Sequence, residues 1–206
     1  MENFIVKLIE SVVFALLFIW MSYTSQGIAV WIKSFFIKSR GFEKVSDEQW
    51  EKDFNSALNE YKNLIVIAEN NNDGIPLPKR ATKHAAGYDV FSPFEFTLNP
   101  GEEIKIPTGF KAYMEDDEKL SFYTRSGNGF KYVRLANQVG IGDSDYYECE
   151  SNEGHYWVKL RNEGTKPFTA TVNSAIAQCI FTKVLFADNE EKAEETRVGG
   201  FGSTSK

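Results

Sequence analysis

The chain has 206 residues, room for one ordinary domain with its own core and an appendage. Apolar residues at 42% and charged residues at 25% are those of a globular protein. A net charge of −6 argues against a protein that coats nucleic acid, so no direct nucleic-acid binding is expected. Cys149 and Cys179 lack C-x-x-C spacing, which points to two unpaired thiols in a reducing compartment. His84 and His155 have no metal-ligand neighbour one helical turn away, so no zinc site is signalled. Neither a P-loop nor a G-x-G-x-x-G after a strand is present.

Residues 1–40 form a hydrophobic N-terminal extension. No charge occurs from Ser11 to Ile32, and 22 helical positions would cover about 33 Å, the thickness of a bilayer core. Lys33, Lys38 and Arg40 follow, whereas Lys7 is offset by Glu2 and Glu10. This bias predicts a membrane anchor at 11–32 with the rest of the chain on the cytoplasmic face. A signal peptide or a non-native extension are the alternatives, the polar Ser22–Gln26 run being their best support.

Ser46 to Tyr61 reads as a helix: Ser46 can cap it, Asp47 and Glu48 occupy its first turn, and Trp50, Phe54, Leu58 and Tyr61 share one face. After the break at Glu69–Gly74, short alternating or apolar runs predict strands at Tyr88–Phe91, Phe94–Leu98, Glu103–Ile106, Leu120–Arg125, Tyr156–Leu160 and Ile176–Phe186. A mainly β barrel or jelly roll follows, spanning 41–206, with 188–206 a flexible, glycine-rich C-terminal lid.

Five segments could carry chemistry: Ala86–Asp89 (A-G-Y-D), Arg125–Gly129 (R-S-G-N-G), Asn137–Tyr146 (N-Q-V-G-I-G-D-S-D-Y), Ile176–Gln178 (I-A-Q) and Arg197–Thr204 (R-V-G-G-F-G-S-T). Singly, each reads as ordinary structure: a turn into a strand, a polar β-turn, a solvated loop, a strand, a mobile end. An Arg beside glycines does suit phosphate oxygens approached by backbone N–H groups. Phe201 is out of place in a bare linker.

In order and spacing the five together resemble the motifs of the trimeric dUTPase family, and the likeness extends over about Arg40 to Lys206. Three departures stand out. Gly142 replaces an aliphatic residue, which is expected to loosen the strand presenting Asp143. Asn128 replaces an apolar residue, and Asn173-Ser174-Ala175 replaces a glycine followed by an acid–base pair.

The resemblance implies a dUTPase-like domain that hydrolyses dUTP to dUMP and pyrophosphate with Mg2+, as a homotrimer with shared active sites, the last motif coming from a neighbour. It implies Asp143 as the base that activates water. Tyr146 would pack on the deoxyribose, and Asn137 with the hairpin through Gly140 would read uracil. Arg125, Ser126, Gly127 and Gln178 resemble the phosphate cradle. Arg197, Gly202, Ser203 and Thr204 would close over the phosphates, with Phe201 stacked on the base. Magnesium would be chelated by the triphosphate, with no direct protein ligand and Asp89 an outer-shell partner. The rival readings are a dCTP deaminase of the same fold and a non-catalytic dUTP-sensing module.

Overall fold

The computed structural model of the protein describes residues 39–68, 70–191, 197, 199 and 200. The expected anchor at 11–32 lies outside these residues, as do Phe201, Gly202, Ser203 and Thr204. Among the described residues no helix is long and apolar enough to cross a membrane.

The strands are β1 (Gly41–Lys44), β2 (Ile65–Ala68), β3 (Tyr88–Phe91), β4 (Phe94–Leu98), β5 (Glu103–Pro107) and β6 (Phe110–Tyr113). They continue as β7 (Glu118–Tyr123), β8 (Val133–Leu135), β9 (Gly140–Asp143), β10 (Trp157–Asn162), β11 (Phe168–Ala170) and β12 (Ala175–Lys183). Two helices, α1 (Asp47–Tyr61) and α2 (Ser126–Gly129), and a 3-10 turn at Ser144–Tyr146 complete the described elements. The fold is mainly β, as expected. Of the two expected architectures, the sheets have a jelly-roll character and do not form one closed barrel: β3-β12-β7-β9, β5-β10-β8, β11-β4-β2 and β1-β6 are separate antiparallel sheets.

The inward faces of these strands make the core. Phe94, Phe96 and Leu98 of β4, Ile104 and Ile106 of β5, Leu120 of β7, Leu160 of β10 and Ile176 of β12 are fully buried. Each contributes about 1.5–3 kcal/mol by leaving water. The helix forms where the sequence predicts it. The Ser46 hydroxyl accepts the Gln49 N–H at 3.1 Å, satisfying one of the amide groups that a helix start leaves open. Trp50, Phe54 and Ala57 are buried, and the Phe54 ring meets Phe94 at 5.6 Å.

Six strands were not legible from alternation: β1, β2, β6, β8, β9 and β11, each three or four residues long. Over so few positions a period of two is not told from chance; β3 is as short, but the Ala86–Asp89 turn leads into it. The Arg125–Gly129 segment, expected as a β-turn, is instead the helical turn α2, in which Gly129 N–H reaches Arg125 O at 2.9 Å. Asn128 stabilises it: buried, it donates from Nδ2 to Ile176 O at 2.9 Å and ties α2 to β12.

Helix α1 is joined to the strands by a polar contact. His155 is wholly buried, and its Nε2 accepts the Gly109 N–H at 2.8 Å. Its proton therefore sits on Nδ1 and is donated to Asp53 Oδ2, 2.6 Å away. Burial holds the His155 pKa below its ordinary value despite the neighbouring carboxylate. Burial would raise the Asp53 carboxyl, but the bonds from His155 and Gln49 outweigh it and hold it low. Both shifts act in one direction. As pH falls through about 6.5 the unfolded chain takes up a proton that folded His155 resists, and below about 4 the same holds for Asp53. Urea midpoints should therefore be highest near pH 7.5 and fall towards pH 5, by at most about 1.4 kcal/mol per pH unit from His155 alone. His155→Gln should flatten that part of the curve. A wild-type midpoint unchanged between pH 7.5 and 5 would contradict the assignment.

Candidate active site

Strand β9 lies on the open edge of the four-stranded sheet, paired with β7 through Lys119–Asp143, Leu120–Gly142, Ser121–Ile141 and Phe122–Gly140. Beside it opens a cavity of about 580 Å3, within the roughly 300–1,000 Å3 usual for small-molecule sites. Asn137, Gly140, Asp143, Tyr146 and Arg197 all line it. The structure thus brings five of the residues singled out in the sequence around one space.

Asp143 ends β9 in extended backbone (φ −78, ψ 158), and the 3-10 turn that follows brings Tyr146 back to the cavity wall. The Asp143 side chain is half exposed. Tyr146 is buried; its hydroxyl donates to His155 O at 3.0 Å and accepts from Asn152 Nδ2 at 2.8 Å. Burial pushes its pKa up to about 12, so it is a neutral wall. Tail residue Arg197, expected at a neighbour's site, pairs with Asp143 of its own chain through NH2, and its Nε donates to Asp145 Oδ1 at 2.8 Å. Burial opposes the guanidinium charge, but the two carboxylates prevail and its pKa is raised. Gly200 lies against the Tyr146 ring so closely that a Cβ there would come within 2.6 Å of Cε2.

Arg125, Ser126, Gly127 and Gln178 do not line this cavity; they gather elsewhere with Asp89. Arg125 donates from Nε to Asp89 Oδ1 at 2.8 Å, from NH2 to Oδ2 at 3.3 Å and from NH1 to Ala175 O at 3.3 Å. Gln178, paired with Asp89 across β3 and β12, donates to Thr124 O at 3.1 Å. Ser126 and Gly127 are exposed at the first turn of α2, where backbone N–H groups lack helical acceptors. Both oxygens of Asp89 accept from Arg125. Among the described residues no group of three or more His, Cys, Asp and Glu side chains could hold a metal ion.

Sequence reasoning missed Phe122, Leu135, Tyr156, Trp157, Lys105 and Lys159, which also line the cavity. Alternation alone does not say which face of a strand meets a ligand. Tyr156 explains Gly142. A Cβ at 142 would lie 2.4 Å from the Tyr156 hydroxyl and 2.5 Å from Cε1, so the ring occupies the space an aliphatic residue would fill. Gly142 keeps its ladder position opposite Leu120. The altered fourth segment is likewise closed by other bonds. Asn173 takes a left-handed turn (φ 59) and donates to Gly74 O at 3.1 Å, while the Ser174 hydroxyl donates to Thr171 O at 2.7 Å.

A mainly β domain with an acidic residue, a buried tyrosine wall and a tail arginine around one cavity is the frame of a small-molecule enzyme. The profile of the dUTPase family matches residues 73–205. A deoxyuridine 5'-triphosphate nucleotidohydrolase from Lactococcus lactis is 43% identical over 141 residues, 68% of this chain and 94% of that protein. One from Methylococcus capsulatus is 39% identical over 140 residues, covering 64% and 89%. The crystal structure of the dUTPase from Streptococcus mutans superposes with a TM-score of 0.55 at 31% identity, over 72% of this chain and 99% of that one. The chain belongs to the dUTPase family.

The close fit of Tyr156 on Gly142 makes a steric prediction. Gly142→Val should destabilise by about 1–3 kcal/mol through overpacking, and Tyr156→Leu in the same chain should restore most of it. Thermal unfolding of the single and double variants checks this. A Gly142→Val protein as stable as wild type would contradict it.

Proposed function

We propose that the chain hydrolyses dUTP to dUMP and pyrophosphate, limiting uracil incorporation into DNA and supplying dUMP for dTMP synthesis. The observation that carries this reading is the gathering of Asn137, Gly140, Asp143, Tyr146 and Arg197 around one cavity. Asp143, half exposed at the end of β9, orients and deprotonates the water that attacks the α-phosphorus. The Tyr146 ring packs on the deoxyribose and leaves no room for a 2'-hydroxyl. Asn137 and the backbone through Gly140 take the uracil edge. A site built to bond O4 and N3–H leaves its own polar groups unpaired when cytosine enters.

Arg197 supplies positive charge for the phosphates. Free of nucleotide it rests on Asp143 and Asp145, and a phosphate competes for the same donors. Arg125, Ser126, Gly127 and Gln178 form the phosphate cradle. Because they lie away from the cavity of their own chain, the proposal includes a homotrimer in which a neighbour contributes them. Phe201, Gly202, Ser203 and Thr204 complete the cover over base and phosphates. Magnesium, bound with the triphosphate, would neutralise phosphate charge, with Asp89, paired to Arg125, an outer-shell partner through water. A cytoplasmic location, at the membrane face if 11–32 anchors the chain, goes with this substrate.

Pyrophosphate release from dUTP tests the reading. Asp143→Asn should bind nucleotide with near-normal affinity while kcat falls by about 10²–10⁴, the scale of a lost general base. An unchanged kcat would remove Asp143 from this role.

A further inference from the structure

Helix α1 buries two polar side chains one turn apart, Gln49 and Asp53, each 8% exposed. Trp50, Phe54 and Ala57 already dock the helix, so its packing does not require them. Gln49 Nε2 donates to Asp53 Oδ2 at 2.7 Å, and the same oxygen receives His155 Nδ1–H at 2.6 Å. His155 is fixed from its other side by the Gly109 N–H at 2.8 Å. Its carbonyl accepts the Tyr146 hydroxyl at 3.0 Å and Asn152 Nδ2 at 3.3 Å. Asn152 Nδ2 also reaches the Tyr146 hydroxyl at 2.8 Å. The start of the helix is fastened to the same loop, where Ser46 N–H donates to Glu153 Oε2 at 3.0 Å. A hydrogen-bonded path therefore runs from α1 through Asp53 and His155 to the tyrosine that walls the cavity.

Burying a carboxylate against an imidazole is a poor way to gain stability, since well-packed apolar side chains often serve as well or better. What a bonded polar pair adds is a fixed orientation. Here it sets the His155 backbone, whose carbonyl sets the Tyr146 hydroxyl and hence the tilt of its ring.

We infer that Asp53 and His155 are positioning residues for sugar discrimination, by which α1 holds the Tyr146 ring where it meets the deoxyribose. This rests on the reading of Tyr146 as the sugar-facing wall. The residues touch no substrate; they act through Tyr146.

Steady-state kinetics on dUTP and UTP test the inference in the full chain. Asp53→Asn keeps the size and the acceptor oxygen but removes the charge, and Tyr146→Phe keeps the ring but cuts its tether. Each should raise the kcat/KM of UTP relative to dUTP by about tenfold, the scale of one lost buried hydrogen bond. For dUTP the change should lie in KM, with kcat within about twofold. The double variant should be no worse than either single one, because both cut the same path. Unchanged discrimination in a folded Asp53→Asn protein, or single effects that multiply in the double variant, would overturn the inference. Tyr146→Ala separates it from the reading beneath. If Tyr146→Ala leaves discrimination intact, the sugar wall itself is wrongly placed and both fall. If Tyr146→Ala relaxes discrimination and Asp53→Asn does not, only the inference fails.

Discussion

Four antiparallel pairs between β7 and β9, from Phe122–Gly140 to Lys119–Asp143, set the register of the strand that ends at the candidate base. A slip of one residue would turn every side chain of β9 to the opposite face, putting Ile141 inside and Gly142 outside. The correct register places Gly140 and Gly142 towards the interior, where neither has a side chain to fill the space. Tyr156 enters from the neighbouring β10 side and packs on Phe122 at 5.0 Å and Tyr146 at 5.2 Å. The cavity wall is thus a consequence of which strand positions carry no Cβ. Asp143 is presented because the ladder ends there and the 3-10 turn begins.

Much of this was legible in the sequence where a signal had length or chemistry. Helix α1 could be read from its cap and apolar face, and β3, β4, β5, β7, β10 and β12 from runs of apolar or alternating residues. The dUTPase-family motifs named Asn137, Gly140, Asp143, Tyr146 and Arg197 before the cavity was known. Most strands of three or four residues were not legible from alternation, β3 being the exception. Long-range pairs were not legible either. Nothing in the order of residues says that Asp53 meets His155, 102 positions away, or that Tyr156 takes the room released by Gly142. The departures from the family pattern looked like losses in one dimension. In three dimensions Gly142 is matched by a ring, and Asn128 and Asn173 by hydrogen bonds to Ile176 and Gly74.

Both sets of site residues pair an arginine with carboxylate. Around the cavity, Asp143 and Asp145 share Arg197; in the other cluster, Asp89 holds Arg125. Each arginine is kept in place by carboxylates, so both cations are ordered before a polyanion arrives, and little reorganisation is left for the moment of reaction. An acidic protein can handle a triphosphate on these terms because its positive charge is local. The separation of the two sets within one chain is what makes a shared site between copies the central claim.

Co-expression of Asp143→Asn and Arg125→Ala chains in equal amounts, followed by purification of the whole randomly mixed population, tests that claim most directly. Each variant alone should be nearly inactive. If Asp143 and Arg125 in one site come from different chains, random mixing gives roughly a quarter of the sites both native residues, and dUTP turnover should recover to about that fraction of wild type. A mixture no more active than the two variants measured separately would show that each chain supplies both residues to its own site.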